Sequence, residues 1–174
     1  MPNFTPATGS TQHVVGVCVN PIGMKGSYEK LLSLSQTPPY QRRLTPYLAG
    51  LGPFDGPAYL NICQNSPMGN IISINNNGGG DKVEIVSIDT LYKSMGVTPT
   101  LIKFDIEGLE VDALIGAQKL ITERAPKLQI SLYHKPDHLW QIGLMLKKMV
   151  PSYRFFLGSH IGGYLETVLY AVNC

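Results

Sequence analysis

Short apolar runs alternate with segments of helical periodicity over the second half of this chain, and this alternation most constrains the fold. Leu101 to Phe104 and Lys127 to Tyr133 have the composition of buried strands. Leu109 to Thr122, between them, has the pattern of a helix. A second helical stripe follows, formed by Leu139, Ile142, Gly143, Leu146 and Met149. Such alternation is typical of a mostly parallel sheet with helices on both faces, so we predict an α/β sandwich.

The chain ends in two strand-like runs joined by a short loop that contains glycine. They are Tyr153 to Leu157 and Glu166 to Val172. Two strands linked in this way favour an antiparallel closing hairpin. Trp140 and Met145 lie on the preceding helix, and we interpret both as core residues of its apolar stripe.

The first half of the chain is predicted to contribute further strands. His13 to Val19 is a β-branched run that closes at Asn20-Pro21. A short helix is expected over Ser27 to Leu34, before Pro38-Pro39. Further strands are expected at Leu44–Leu51, Ala58–Gln64 and Val83–Ile88, with Asp89 as the N-cap of a helix from Thr90 to Met95.

The segment from Asn65 to Lys82 is rich in asparagine and glycine. Its centre, 75–80, has no apolar side chains to bury and predicts a mobile loop. A glycine run that cradles phosphate needs a strand before it and a helix after it, whereas here a predicted strand follows. We therefore interpret the segment as a loop.

The length of the chain predicts one domain, and its composition predicts neither a nucleic-acid nor a membrane partner. At 174 residues the chain can form one core, with residues 1–12 as a flexible segment and 13–174 as the domain. A net charge of +2 without a basic block predicts no nucleic-acid partner. The absence of a signal peptide or an apolar span predicts no membrane partner. Three widely spaced cysteines, Cys18, Cys63 and Cys174, indicate free thiols, and hence the cytoplasm.

Acidic residues gather where the predicted strand at 101–104 ends. Lys103 and Asp105 lie on the same side of that strand, and Glu107 and Glu110 follow it. Ligands of open α/β sheets bind outside the carboxyl ends of the strands. The three carboxylates could activate a hydroxyl, hold a metal or grip a substrate. Equally, Glu107 and Glu110 could simply stabilise the positive start of the next helix.

The stretch LIKFDIEGLEVDALIGA, residues 101–117, resembles the signature of the FkbM methyltransferase family. The segments KLQISLYHKPDHLWQI and YRFFLGSHIGGYLETVLYAV are similar to the last strands of that family. Upstream, VVGVCVNP, PYLAGLGPFDGPAYLNI and KVEIVSIDTL match its earlier strands in order. The resemblance covers nearly the whole chain from His13 onward.

The resemblance implies a Rossmann-like class I methyltransferase fold that uses S-adenosylmethionine, usually to methylate a hydroxyl of a sugar or small metabolite. By position, Asp105 would face the cofactor or the substrate, with Glu107 beside it as a catalytic group. His134, after the fifth strand, would be a general base, because an imidazole near neutrality suits deprotonation of a hydroxyl. An alternative is a histidine that is merely hydrogen-bonded to a turn. Lys103 and Glu110 would contact the small-molecule acceptor.

The chain departs from the family pattern at the residues that would bind the cofactor. It begins at the second strand, so we expect the first strand and its glycine-rich loop to be missing. At the end of the second strand Cys18 replaces an acidic residue that would hold the ribose, and Asn20, two residues further on, would also contact the cofactor. A thiol cannot accept two such hydrogen bonds. We therefore interpret the chain as part of a longer gene product, with possible self-association through open sheet edges.

Two other functions stay open at this point. The chain could be a non-catalytic, degenerate methyltransferase-like module that binds a partner. It could also be a Rossmann-like domain that binds a metal or a nucleotide through Asp105 and Glu107, although no spacing typical of a metal site is present.

Overall fold

The computed structural model describes residues 14–18, 21–41, 43–61, 71–73, 80–96, 98–159 and 166–173. From residue 81 to residue 149 strands and helices alternate, as the sequence predicts, whereas the elements described between residues 44 and 86 are all strands. In chain order they are β1 (Val14–Cys18), α1 (Pro21–Ser35), β2 (Leu44–Leu48), β3 (Gly50–Leu51), β4 (Gly56–Asn61), β5 (Ile71–Ser73), β6 (Asp81–Val86), α2 (Ile88–Met95), β7 (Leu101–Phe104), α3 (Glu110–Ile115), α4 (Gln118–Arg124), β8 (Lys127–Ser131), α5 (His138–Met149), β9 (Arg154–Ser159) and β10 (Thr167–Val172).

The described strands form three sheets of mixed direction. Their orders are β1-β2, β3-β6-β4-β5 and β7-β8-β10-β9. The pairs β1/β2, β3/β6 and β7/β8 are parallel. The other pairs, β4/β5, β4/β6, β8/β10 and β9/β10, are antiparallel. The predicted closing hairpin is confirmed, but the strands are not arranged as one mostly parallel sheet.

The additional antiparallel pairs arise largely where the sequence predicted a loop. Within Asn65–Lys82, strand β5 pairs with β4, and β6 already begins at Asp81. Strand β4 also pairs with β6, so the chain folds back on itself in this region. The prediction of a loop is therefore wrong for residues 71–73 and 81–82. Residues 74–79, with most of the glycine run, lie outside the described residues.

Strands β1 and β7 each have one edge on which no described strand lies. Strand β1 pairs with β2, and β7 pairs with β8. The predicted absence of a first strand and the predicted self-association through open edges both stay predictions. Residues 1–13, including the proposed flexible segment, lie outside the described residues.

One hydrophobic core joins the sheet β7-β8-β10-β9 and the helices that follow β7 and β8 to α2 and to strands β3, β4 and β6. Phe104 on β7 and Ile130 on β8 are fully buried. Leu114 of α3, Leu120 of α4 and Leu146 of α5 are equally buried. Each such side chain contributes about 1.5–3 kcal/mol relative to an exposed one. This packing holds the loop after β7 and the start of α5 in position.

The helix predicted from Leu109 to Thr122 is interrupted. Helix α3 ends at the buried Gly116, and α4 begins at Gln118. The carboxylate of Asp89 accepts hydrogen bonds from the backbone N–H groups of Lys119 and Leu120, at 3.0 and 2.8 Å, and so caps α4. Asp89 was predicted to cap α2 instead. The oxygen that caps α2 is the hydroxyl of Ser87, which accepts from the Thr90 N–H at 3.2 Å.

Helix α5 buries most of the predicted stripe: Ile142 and Leu146 are fully buried, Gly143 and Met149 are half-buried, and Leu139 is 55% exposed. Met145 is half-buried and packs against the core, as predicted. The buried residues of the helix are His138, Ile142 and Leu146. Trp140 is 58% exposed, so the interpretation of this residue as core is wrong. No helix among the described residues is long and apolar enough to cross a membrane.

Candidate functional site

The loop after β7 turns sharply and directs its polar side chains to one place. Strand β7 ends at Phe104, and α3 begins at Glu110. Glu107 and Gly108 both have positive φ angles, of 57° and 96°. Glycine adopts this conformation freely, whereas for glutamate it is uncommon and has to be held by the surrounding structure. Such backbone outliers cluster at functional sites, which draws attention to Glu107.

Asp105 lies at the rim of the site with two polar neighbours. Its Oδ2 atom is 3.2 Å from Nζ of Lys103, and the hydroxyl of Tyr133 donates to Oδ1 at 3.1 Å. The side chain of Asp105 is 38% exposed. Partial burial raises the pKa of Asp105, but hydrogen bonds from Lys103, Ser131 and Tyr133 outweigh it and lower the pKa. Asp105 is therefore an ionised carboxylate that is still accessible.

The predicted base His134 lies directly behind this rim. Its Nε2 atom is 3.7 Å from Oδ1 of Asp105 and 3.6 Å from Oε2 of Glu107. The side chain of His134 is 6% exposed, whereas that of Glu107 is 63% exposed. Burial lowers the pKa of His134, but the bond to Glu110 and the charges of all three carboxylates raise it further, so the net shift is upward.

Glu110 is buried beneath the other two carboxylates. It is 0% exposed, and its Oε1 atom is 2.8 Å from Nδ1 of His134. The same oxygen accepts from the backbone N–H groups of Ile106 and Gly108, at 3.0 and 3.4 Å. Burial raises the pKa of Glu110, but its bonds to His134 and His138 lower it to about 2. Glu110 is thus a buried anion that faces the protein rather than solvent.

His138 belongs to the same cluster, although the sequence analysis gave it no role. It is 1% exposed, and its Nδ1 atom is 3.2 Å from Oε2 of Glu110. The spacing of four residues between His134 and His138 was a signal, but a position at the start of a predicted helix does not by itself indicate a role. Only the packing of α5 against α3 places His138 on the second oxygen of Glu110.

Tyr133 completes the rim. Its ring lies against that of His134, with centroids 4.2 Å apart. Burial and the neighbouring charge of Asp105 raise the pKa of Tyr133 to about 12. The phenol therefore remains protonated and acts as a hydrogen-bond donor to Asp105.

The structure brings together five of the seven residues predicted for the site: Lys103, Asp105, Glu107, Glu110 and His134. The other two were predicted, with Asp105, to bind the cofactor: Cys18 is the last residue of β1, paired with Leu48 of β2. Asn20 lies outside the described residues.

A separate open groove of about 800 Å³ lies between α3, α4 and α5. Its walls include Ile115, Trp140 and Leu144, which are all exposed apolar residues. No residue of the carboxylate–histidine cluster lines it. We assign the candidate site to the cluster, because the cluster holds the titratable groups that reactions require. No group of three or more His, Cys, Asp or Glu side chains in the described ranges has an arrangement suited to a metal ion.

Comparisons with known proteins agree with the resemblance in the sequence. The methyltransferase FkbM domain matches residues 4–164 of the chain. The crystal structure of methyltransferase FkbM from Methylobacillus flagellatus KT is similar, with a TM-score of 0.69 and 26% sequence identity. The similarity covers 92% of this chain but 36% of that one, so this chain spans about a third of the length of that protein. A search of curated proteins gave no significant match. The chain therefore belongs to the family of methyltransferase FkbM domains.

Proposed function

We propose that the chain is part of an S-adenosylmethionine-dependent O-methyltransferase and that the cluster at the end of β7 contacts both the cofactor and the acceptor. The observation that supports this most strongly is the ionised cluster at the carboxyl end of β7, where Nε2 of His134 is directed at Asp105 and Glu107. That position is where open α/β sheets bind ligands. The acceptor class is a hydroxyl of a sugar or small metabolite.

The cluster fits a positively charged cofactor. Asp105 and Glu107 present partly exposed carboxylates, and the Nε2 atom behind them has no hydrogen-bond partner among the described residues. The sulfonium and amino groups of S-adenosylmethionine are cations, and opposite charges within about 4–6 Å stabilise each other. Asp105 would hold the cofactor, which would supply an electrophilic methyl group. Cys18, at the end of β1, would lie near the ribose, as the family resemblance implies.

In this proposal the residues of the chain perform the proton chemistry. Asp105 is held in place by Lys103 and Tyr133 and orients the reacting groups. His134 removes the proton of the acceptor hydroxyl, and the nearby carboxylates stabilise the imidazolium that forms. Glu107, on its strained turn, is exposed enough to contact the acceptor.

A calorimetric titration of S-adenosylmethionine, or of its demethylated product, tests the proposal. We expect binding in the micromolar range, which corresponds to about −8 kcal/mol at a Kd of 1 μM. Asp105→Asn should weaken the binding and leave the fold intact. Asp81→Asn, at an exposed position at the start of β6, is the matched control and should bind like the wild type.

Absence of binding to the folded wild-type chain would contradict the proposal. It would favour the alternative of a non-catalytic, methyltransferase-like module, to which the thiol of Cys18 in place of an acid already points. Equal binding by wild type and Asp105→Asn would remove Asp105 from the cofactor site.

A further inference from the structure

The buried carboxylate of Glu110 lies between two histidines and serves both. His134 approaches Oε1 at 2.8 Å, and His138 approaches Oε2 at 3.2 Å. Glu110 and His138 are 0% and 1% exposed. A carboxylate so enclosed cannot contact a substrate, and a buried charge is retained only when partners compensate for the loss of water.

The hydrogen bonds around Glu110 determine where the proton of His134 lies. Oε1 already accepts from the N–H groups of Ile106 and Gly108, so Glu110 acts as an acceptor. An ionised carboxylate has no proton to donate. The Nδ1 atom of His134 must therefore carry the hydrogen of the 2.8 Å contact. In the neutral ring, this leaves Nε2 as the unprotonated nitrogen.

That nitrogen faces the rim of the site. Nε2 of His134 is buried and has no hydrogen-bond partner among the described residues, although oxygens of Asp105 and Glu107 lie within 3.7 Å. The lone pair of Nε2 and the two carboxylate oxygens repel one another unless a proton lies between them. The exposed side chain of Glu107 can move aside to admit an acceptor hydroxyl. The geometry thus favours proton uptake at Nε2.

We infer that Glu110 and His138 are a positioning pair that fixes His134 in the Nδ1–H tautomer and strengthens it as a base. This inference rests on the proposed function. The acceptor O–H bond breaks and its proton passes to Nε2, while the oxygen gains the methyl group. The electron pair of the broken carbon–sulfur bond remains on the sulfur of the cofactor. The negative charge of Glu110 then stabilises the imidazolium. Nε2 releases its proton to solvent when the product departs.

His138 contributes through the 3.2 Å contact of its Nδ1 atom with the second oxygen of Glu110. Neither atom has a hydrogen bond with the described residues, so each is the polar neighbour of the other. Without His138, the carboxylate could rotate away from His134. Titratable groups from every element packed around His134 face its ring. Lys103 partly neutralises the charge of one of them, Asp105. These groups are Asp105, Glu107, Glu110, Tyr133 and His138.

The tautomer can be observed directly in the wild-type chain. A long-range ¹H–¹⁵N correlation spectrum distinguishes Nδ1–H from Nε2–H, and His134→Gln identifies the signals of His134. We expect the Nδ1–H form above the midpoint of the titration, and a midpoint higher than the ordinary value of 6.5. An Nε2–H tautomer, or a midpoint at or below 6.5, would overturn the inference.

Variants then test the positioning pair. Glu110→Gln should lower the titration midpoint of His134 by about one unit or more, since a buried opposite charge shifts a pKa by about 1–3 units. His138→Gln should lower it by a smaller amount. The control Glu123→Gln, at an exposed position on α4, should leave it unchanged. An unchanged midpoint in a folded Glu110→Gln chain would refute the role of Glu110.

The two proposals fail separately. If S-adenosylmethionine does not bind but His134 shows the expected tautomer and midpoint, the proposed function is wrong and the assignment of the proton is correct. If the cofactor binds while His134 is an Nε2–H tautomer, the positioning pair is wrong and the methyltransferase proposal survives.

Discussion

Gly116 lies at the end of α3, where backbone from another part of the chain comes very close. A Cβ atom at this position would collide with the carbonyl oxygen of Gly52 and crowd the side chain of Ser87. Its own carbonyl oxygen accepts from the N–H of Asp89 at 2.9 Å. Glycine is needed here for space, because its φ angle of −70° is available to any residue.

We predict that Gly116→Ala lowers the free energy of unfolding by about 1–3 kcal/mol, because backbone must shift to admit the methyl group. Gly143→Ala in α5 is the matched control, since a Cβ there meets no atom within 4 Å. The control should stabilise the chain by about 0.5–1 kcal/mol through helix propensity. Urea titration measures both values, and equal effects would contradict the argument from space.

At the scale of elements, carboxylates distant in sequence fix the helix starts. Asp55, in the turn before β4, accepts from the Ser87 N–H at 2.7 Å and from the Thr90 hydroxyl at 2.6 Å. The hydrogen bond from the Ser87 backbone is the main reason why the pKa of Asp55 is lowered. Asp89 in turn caps α4. These bonds tie β4, α2 and α4 into one unit.

Asp89→Ala should destabilise the fold by about 0.5–2 kcal/mol, because two backbone N–H groups of α4 lose their acceptor. The control is Glu123→Ala, which removes an exposed pair with Lys119 at 3.8 Å. Such surface pairs contribute about 0–1 kcal/mol. Thermal unfolding of both variants checks the difference, and an Asp89→Ala chain as stable as the control would show that the cap is dispensable.

For the whole molecule, the buried cluster couples stability to pH. The lowered pKa of Glu110 adds stability that is present above its ordinary value of 4.5 and is lost as pH falls towards about 2. The raised pKa of His134 adds stability that is present below 6.5 and is lost as pH rises through the folded-state value. Asp112 acts in the opposite direction to Glu110, because burial raises its pKa.

Wild type should therefore lose, between about pH 4.5 and 2, a stabilising contribution that Glu110→Gln lacks. The difference in unfolding free energy between the two chains should narrow over that range. Urea midpoints measured from pH 2 to 7 give this difference directly. Glu84→Gln on β6, an exposed position, is the control and should follow the wild type throughout. A constant difference between wild type and Glu110→Gln would contradict the buried anion.

Local sequence determined much of the fold and the centre of the site. The bounds of β7 were predicted without error, but the strand is not buried as predicted, since Phe104 is its only buried residue and Leu101 is 56% exposed. Alternation along β7 also placed Lys103 and Asp105 on one side, and their 3.2 Å contact confirms it. The motif at residues 101–117, together with the closing strands, resembles the family signature, and the match of the FkbM domain to residues 4–164 confirms the family.

Tertiary structure decided the features that depend on contacts between distant segments. The sequence could not show that residues 71–73 pair with β4, because strand pairing depends on partners rather than on composition. The break between α3 and α4 follows from the approach of Gly52 and the reach of Asp89. Likewise, the burial of Glu110 and the inclusion of His138 arise only when α5 packs against α3, since charge and local spacing leave both residues equally able to face water.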